Sequence, residues 1–420
     1  MTGPKRVARE LGHDLLPLEA VRETILSFLA PLESVEVPIG EASGSVLRED
    51  LEVVEPLPPF DSSAMDGYAV RFADLEGASR EAPVTLRVSG VLFAGGVPGG
   101  ALEPGFTVRI MTGAPIPPGA DAVVPHELTR FDPENAEFSQ PPKPGANIRR
   151  AGGDLRPGDV PLRAGAVLRP AGIALAAALG RERLRVTRRP RVAIISPGDE
   201  LVLPGEPCGP GKVRSSNAVA LAAAIRDLGC EPSDLGIVPD REESIRAAID
   251  AALAARADAI VSTGGVSAGD RDLVQAIVRE RGKPGHVFKV AMRPGKPQVF
   301  GLFGGKPLFG LPGNPASALI SFEVFVRPAI RRLRGVSEVI DVPFGARFPF
   351  EHTYSPGRIF LLRARVEPDG AGYRVISAGK QDSSFLSSFA AANAIIRLPP
   401  EPGRVEPGEV HPAFWIGGRP

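Results

Sequence analysis

Residues 310–318 read GLPGNPASA. They follow an apolar run, Pro307 to Leu311, and lead into a helical pattern, Ala316 to Leu333. Strand, Gly/Pro/Asn loop and helix start, in that order, build a cradle for an anion. Unpaired backbone N–H groups and the positive end of the helix dipole converge on one spot. Glycine lets the backbone approach the anion, and proline stiffens that approach. Gly313, Asn314 and Ser317 are the candidate contacts. Just upstream, KVAMRPGKP carries Lys289, Arg293 and Lys296. Two anion-friendly segments so close in sequence point to a phosphorylated or oxyanion substrate.

Working outward, residues 189–334 alternate between strand and helix patterns. RVAIIS is continuously apolar, as a buried parallel strand should be. Ser216 or Asn217 is expected to cap a helix running to about Leu228, and LGIVPD to be the second strand. Asp240 is expected to cap a helix through Ala255. DAIVSTGG reads as a third strand, and Asp270 to Arg281 as a further helix. This alternation predicts a three-layer α/β domain with a mostly parallel sheet. In such sheets ligands bind beyond the carboxyl ends of the strands. TGGVSAGDRD (263–272) belongs at that edge, where Gly264 and Gly265 let backbone N–H groups meet a phosphate and Ser267 adds a hydroxyl. Asp270 and Asp272 suit a divalent cation bridging that phosphate. A plain glycine turn with Asp270 as helix cap is the competing reading, and the pairing with GLPGN favours the site. SPGDEL (196–201) brings Glu200 to the same edge as a metal or hydroxyl ligand, against a reading as a solvated Pro-Gly turn.

The remaining chain is multidomain. Leu18, Val21, Ile25, Phe28 and Leu29 keep helical spacing across Pro17 to Leu29. Residues 1–55 and 150–188 are expected to pack as one discontinuous, elongated domain. Residues 56–149, with short alternating runs such as Val84 to Val88 and Phe106 to Ile110, read as a β-rich insert. Residues 189–334 are the α/β domain. Residues 335–420 return to short strands, as in RIFLLRARVE, and fit a C-terminal β-barrel or sandwich.

Composition limits the partners. The 49 Lys+Arg balance 49 Asp+Glu, so no global basic field exists to hold nucleic acid or an acidic membrane surface. Gly 48 and Pro 45 recur without a period among strongly apolar segments, which indicates many tight turns rather than a fibrous or unfolded chain. Cys208 and Cys230 have no metal-ligand spacing, and a reduced cytosolic compartment is the natural reading. Met1 to Asp14 is polar and charged, so no signal peptide is expected. No apolar run approaches the roughly 18 residues of a membrane span. The five histidines show no HxH or HExxH spacing, and no Walker A loop is present.

Three further loops are conspicuous. PPFDSSAMDGYAV (58–70) holds Asp66, RIMTGAPIPPGADAVV (109–124) holds Thr112, and NIRRAGGDL (147–155) holds Asp154. Read alone they are irregular turns; Asp66-Gly67 is a good turn pair. Together with SPGDEL, STGGVSAGDRD and MRPGKP…GLPGNPASA they occur in the order seen in the MoeA/gephyrin-E family of molybdopterin molybdotransferases, which this sequence resembles from about residue 15 to its end.

The resemblance implies a cytoplasmic transferase of molybdenum cofactor biosynthesis. It implies that adenylylated molybdopterin and molybdate are the substrates, that AMP is released, and that Mg²⁺ is the cofactor. It also implies a homodimer of four-domain subunits with an intersubunit active site, where the β-rich insert of one subunit faces the α/β domain of the other. The molybdopterin adenylyltransferase is a further partner it allows. Position by position, Asp66, Thr112, Asp154, Glu200, Asp240 and Asp272 resemble functional acidic and hydroxyl positions, with Glu200, Asp270 and Asp272 around the metal. Lys289, Arg293, Lys296 and Ser317 match positions near the pterin phosphate and molybdate. Arg358 in YSPGR and Ser383 in GKQDSS resemble residues that close the anion site. Arg293 departs from the lysine of many relatives, which keeps the charge but changes oxyanion geometry. Two rival functions remain at this point: an adenylyltransferase-like or nucleotide-processing relative, and a non-catalytic molybdopterin-binding scaffold. The extra domains weigh against the first, and retained acids at Asp66, Glu200 and Asp272 against the second.

Overall fold

The computed structural model describes residues 15–266, 272–370 and 372–418. Two compact units are present. One holds Asp50–Arg163 and Pro170–Arg183, and the other the remaining described residues.

The first unit is built on a six-stranded sheet. In spatial order its strands are Ala122–Pro125, Gly67–Val70, Phe106–Ile110, Val84–Leu92, Asn135–Phe138 and Thr129–Phe131. Tyr68, Val70, Leu86, Val124, Ala136 and Phe138 bury one face of it, while Ala69, Ile110 and Val123 bury the other. Single bridges Leu51–Leu162 and Leu57–Leu155 pair the chain entering the sheet with the chain leaving it.

In the second unit the α/β sheet runs Glu231–Val238, Arg191–Pro197, Ala259–Thr263, Lys306–Leu311, Pro297–Phe303 and Gly285–Lys289. The first four strands are mutually parallel. Pro297–Phe303 runs antiparallel to both of its neighbours; Phe303 and Lys306 are joined by a Gly304-Gly305 hairpin that leaves no room for a crossover helix. Both faces are covered. Val192, Ile194 and Val261 pack towards Leu221, Ile225, Phe322 and Ile330. Alternate residues Ala193, Ile195 and Ile260 pack towards Ile245, Ile249, Ile277 and Val278. That alternation is why RVAIIS carries no polar face.

Helix boundaries differ from the sequence reading in informative ways. The helix after the first parallel strand spans Ser216–Asp227, with Ser215 rather than Ser216 or Asn217 at the N-cap. The next spans Glu242–Ala254 with Arg241 at the N-cap, so Asp240 lies one residue outside the capping position. Asp272 takes the N-cap of Leu273–Arg281; Asp270 lies outside the described residues. The last helical stretch is interrupted: Pro315–Ser321 and Arg327–Leu333 flank a π-turn at Phe322–Val326. Pro328, which cannot donate a backbone hydrogen bond, sits just beyond that turn.

The C-terminal strands close into a five-stranded barrel. Ile359–Asp369 pairs with Gly372–Ser377, then Phe344–Arg347, Val410–Trp415 and Ala394–Leu398, which returns to Ile359–Asp369. Leu362, Ala364 and Val366 fill its interior with Phe348, Val375, Ile396 and Leu398. Leu361 and Ile395 point the other way and join the core cluster of the α/β sheet. Among the described residues, no helix is long and apolar enough to cross a membrane.

Candidate functional site

At the carboxyl edge of the parallel strands lies a cleft of about 820 Å³. Pro197, Glu200, Asp240, Thr263 to Val266, Asp272 and Pro312 to Pro315 line it, together with Ser317 and Ser384. Much of the wall begins where the parallel strands Arg191–Pro197, Ala259–Thr263 and Lys306–Leu311 end and the chain turns at a Gly/Pro segment towards a helix.

Three helix starts meet here. Ser215, Ser216 and Asn217 line the cleft at the head of Ser216–Asp227, Asp272 at the head of Leu273–Arg281, and Asn314, Pro315 and Ser317 at the head of Pro315–Ser321. Early N–H groups without intrahelical acceptors and aligned peptide dipoles make each start electropositive. Gly264 and Gly265 add a turn at φ +113° and +68°. A side chain at Gly265 would meet Val274 Cγ2 at 2.9 Å, so only glycine brings the backbone this close to the following helix.

Hydrogen bonds lock the loops to one another. The Gly264 N–H donates to the Leu311 carbonyl at 2.9 Å, tying the TGG turn to the GLPGN strand. Asn217 Nδ2 donates to the Gly313 carbonyl at 2.8 Å. Asn314 Nδ2 donates to Ser383 Oγ at 3.0 Å, and the Ala316 N–H to the Ser383 carbonyl at 3.0 Å. Asp199 and Asp240 exchange backbone-to-carboxylate bonds of 3.3 and 3.2 Å, joining the loops after the first two strands.

The 380–384 loop that reaches Asn314 has its own support. Arg363 projects from the barrel strand with no solvent exposure and donates through Nη2 to the carbonyls of Lys380 and Asp382 at 3.3 and 3.0 Å. Gln381 accepts from the Arg363 N–H at 3.1 Å. Burial pulls the Arg363 guanidinium below its usual pKa, with Asp382 opposing. Asp382 itself is held below the usual carboxylate range by the Ser384 hydroxyl and N–H.

Of the residues expected from sequence, Glu200, Asp240, Gly264, Gly265, Asp272, Gly313, Asn314 and Ser317 share this cleft. Ser383 stands at its rim through Asn314. Lys289, Arg293, Lys296 and Arg358 are not among the lining side chains; Gly295 and Pro297 of the basic turn are. Arg358 Nη1 reaches the Met292 carbonyl at 3.5 Å, at the base of that turn. Ser267 and Asp270 lie outside the described residues. Asp66, Thr112 and Asp154 belong to the other compact unit. There the Thr112 hydroxyl and N–H both donate to Asp66 Oδ1 at 2.7 Å, and the two bonds, hydroxyl first, hold the exposed Asp66 carboxyl below its ordinary pKa. Asp154 is exposed, and its N–H donates to the Leu57 carbonyl at 3.0 Å.

Sequence reasoning missed Ser215, Asn217 and Ser384 as cleft residues, and Arg363 as the support of the 380–384 loop. The S-S-N run after a strand was a usable signal for the first two. An arginine in the middle of the apolar run RIFLLRARVE was one for the last, because a charge buried there must find acceptors.

The acids suit a hard cation. Glu200, Asp240 and Asp272 offer the oxygen donors that Mg²⁺ prefers. Among the described residues no three His, Cys, Asp or Glu side chains converge closely enough to cage a metal alone. Mg²⁺ commonly keeps water and takes substrate phosphate oxygens beside one or two carboxylates, so the donor set fits that mode.

Comparison with known proteins decides the family. Residues 16–180 match the MoeA N-terminal region (domain I and II), residues 193–332 a probable molybdopterin binding domain, and residues 346–412 the MoeA C-terminal region (domain IV). The chain belongs to the MoeA family. A Mycobacterium tuberculosis relative named molybdopterin molybdenumtransferase 2 is 38% identical over 392 residues, 92% of this chain and 96% of its own. The Haemophilus influenzae molybdopterin molybdenumtransferase is 37% identical over 399 residues, 94% of this chain and 97% of its own. Among solved structures, the molybdopterin biosynthesis MoeA protein from Pyrococcus horikosii superposes with a TM-score of 0.80 at 33% identity, covering 96% of this chain and all of that one. In this MoeA chain the cleft lies within residues matched by the probable molybdopterin binding domain, apart from Ser384 of the C-terminal region.

Proposed function

We propose that this MoeA protein is a molybdopterin molybdenumtransferase, inserting molybdate into adenylylated molybdopterin with release of AMP. The observation that carries the reading is the cleft itself. Three helix starts and a Gly-Gly turn surround one opening, and three carboxylates line it. Helix starts and backbone N–H groups favour phosphate and molybdate, which are both oxyanions. Carboxylates alone would repel those groups. Their presence is accounted for if one or two of Glu200, Asp240 and Asp272 hold Mg²⁺ against the pyrophosphate. The cation would neutralise phosphate charge and polarise the bond that breaks.

The chain's own residues then have separable roles. Gly264, Gly265 and the N–H groups heading the 216–227 and 315–321 helices bind phosphate oxygens. Ser317, buried to 5% exposure at the cleft wall, orients one such oxygen. Arg293 and Lys296 hold the molybdate side from the adjoining turn. Asn314, fixed by Ser383, keeps the 312–317 loop at the mouth. No protein nucleophile is needed, because an oxygen of molybdate or water attacks the phosphoanhydride.

Asp66, Thr112 and Asp154 complete the site from a second copy of the chain in a homodimer. The motif order shared with the family supports this placement, and a monomeric variant should then be inactive. The test is molybdate-dependent AMP release by the purified protein with adenylylated molybdopterin and Mg²⁺. Replacing Glu200 or Asp272 with alanine should abolish release while leaving the oligomeric state unchanged. Normal release by either variant would sink the assignment of the acids.

A further inference from the structure

We infer that Gln298 is a positioning residue that sets the Arg293-Pro294-Gly295-Lys296 turn against the cleft. The inference rests on the reading that Arg293 and Lys296 hold the oxyanion substrates. Gln298 was not conspicuous in the sequence; it stands one residue into the strand that follows the turn. Its side chain is 3% exposed. Nε2 donates to the Gly295 carbonyl at 2.8 Å and to Ser321 Oγ at 2.6 Å. Ser321 is fully buried and ends the helix that starts at Pro315, so one amide ties the basic turn to the helix of the GLPGN cradle.

The turn cannot settle elsewhere at low cost. Gly295 adopts φ +95°, and an added Cβ would meet Met292 Cε at 2.5 Å and Ser321 Oγ at 2.9 Å. Met292 and Arg293 are fixed upstream by parallel pairing with Ile359 and Phe360 of the barrel. Downstream, the Val290 N–H donates to the Lys296 carbonyl at 2.8 Å. Between these two anchors, Gln298 is the polar group that reaches the turn from the core. Gly295 lines the cleft, and the exposed Arg293 and Lys296 flank it. A shift of Gly295 therefore displaces both cations together. Removing a buried amide without filling its partners leaves a carbonyl and a hydroxyl unpaired, so the turn should relax towards water.

Three variants of the full-length protein test this: Gln298→Leu, Ser321→Ala and Lys296→Ala. AMP release is measured against molybdate concentration, and thermal melting is followed in parallel. Gln298→Leu keeps the shape and removes both donors. It should raise the molybdate concentration at half-saturation about tenfold, as expected for loss of about one well-placed hydrogen-bonded contact, with kcat within about twofold. Ser321→Ala, which leaves the bond to Gly295, should raise it about threefold. A purely structural role would lower the melting temperature and the active fraction, cutting kcat at unchanged half-saturation. That result overturns the inference. A rise with Lys296→Ala but none with Gln298→Leu overturns it while leaving the role of the cations standing. No rise with either removes the reading it rests on and the inference with it. If Gln298→Leu does not fold, Ser321→Ala decides: an unchanged half-saturation beside a raised one for Lys296→Ala is the contrary result.

Discussion

The two ends of the parallel sheet treat charge in opposite ways. At the amino end, Asp258 is 1% exposed and fully engaged. Arg188 meets it with two bonds of 2.5 and 2.7 Å, the Arg191 N–H donates at 2.9 Å, and Lys306 approaches to 3.4 Å. At the carboxyl end, Glu200, Asp240, Arg293 and Lys296 form no ion pair with any described residue, and all but the half-buried Asp240 are exposed. Among the described residues, the charge at one end is ion-paired, whereas Glu200, Asp240, Arg293 and Lys296 at the other are not. The fold explains the asymmetry. Strand carboxyl ends lead into helix starts, which attract anions, whereas the ends where strands begin receive helix carboxyl ends and offer no such field.

If this contrast is real, substitutions at the two ends should separate chemistry from stability. The largest effect is expected from Glu200→Ala or Asp272→Ala: AMP release should fall by about a hundredfold or more, and Glu200→Ala should leave the melting temperature little changed. Unimpaired release would erase the contrast. Asp258→Asn should do the reverse, costing about 3 kcal/mol in denaturant unfolding while activity at saturating substrate persists. The pH dependence has a definite sign. Burial raises the Asp258 carboxyl, but its bonds to Arg188 and the Arg191 N–H outweigh this, so the net pKa lies below the ordinary value. Its stabilisation is therefore present above about pH 4 and lost as pH falls through the folded value. The wild type should lose this increment in acid and Asp258→Asn should not; parallel curves would contradict the pairing.

Smaller effects sharpen the comparison. Lys296→Ala should raise the half-saturating molybdate about tenfold, in the range of a charge-assisted hydrogen bond. Thr112→Val, in the other compact unit, is read by titration rather than by turnover. It removes the leading cause of the lowered Asp66 pKa but keeps the N–H bond, so the carboxyl should titrate nearer its ordinary value by NMR. An unshifted titration would show that the hydroxyl contact is not maintained in solution.

Much of this was legible in the sequence, for physical reasons. RVAIIS, DAIVS and GLPGN announce strands buried on both faces that end at Gly/Pro loops, which places the cleft at the carboxyl edge of the sheet. Short strands and turns narrowed the C-terminal region to a barrel or a sandwich. What stayed hidden depends on partners far away in sequence. Asp240 looked like a helix cap, yet its carboxylate accepts from Asp199 and the cap falls to Arg241. Arg358 stood out in YSPGR, whereas Arg363, five residues on, is the arginine that braces the loop carrying Ser383. Gln298 gave no signal in the sequence because its bond partner Ser321 is contributed by another element. The mostly parallel sheet was legible, while the place of its antiparallel strand hangs on a two-glycine hairpin that leaves the apolar pattern unchanged.

The most direct test of the central claim is AMP release from adenylylated molybdopterin, followed with Mg²⁺ while molybdate is titrated, in the wild type and in Glu200→Ala side by side. The account predicts saturable, molybdate-dependent release by the wild type and none above background by the variant. Release that ignores molybdate, or that survives the loss of Glu200, would contradict it.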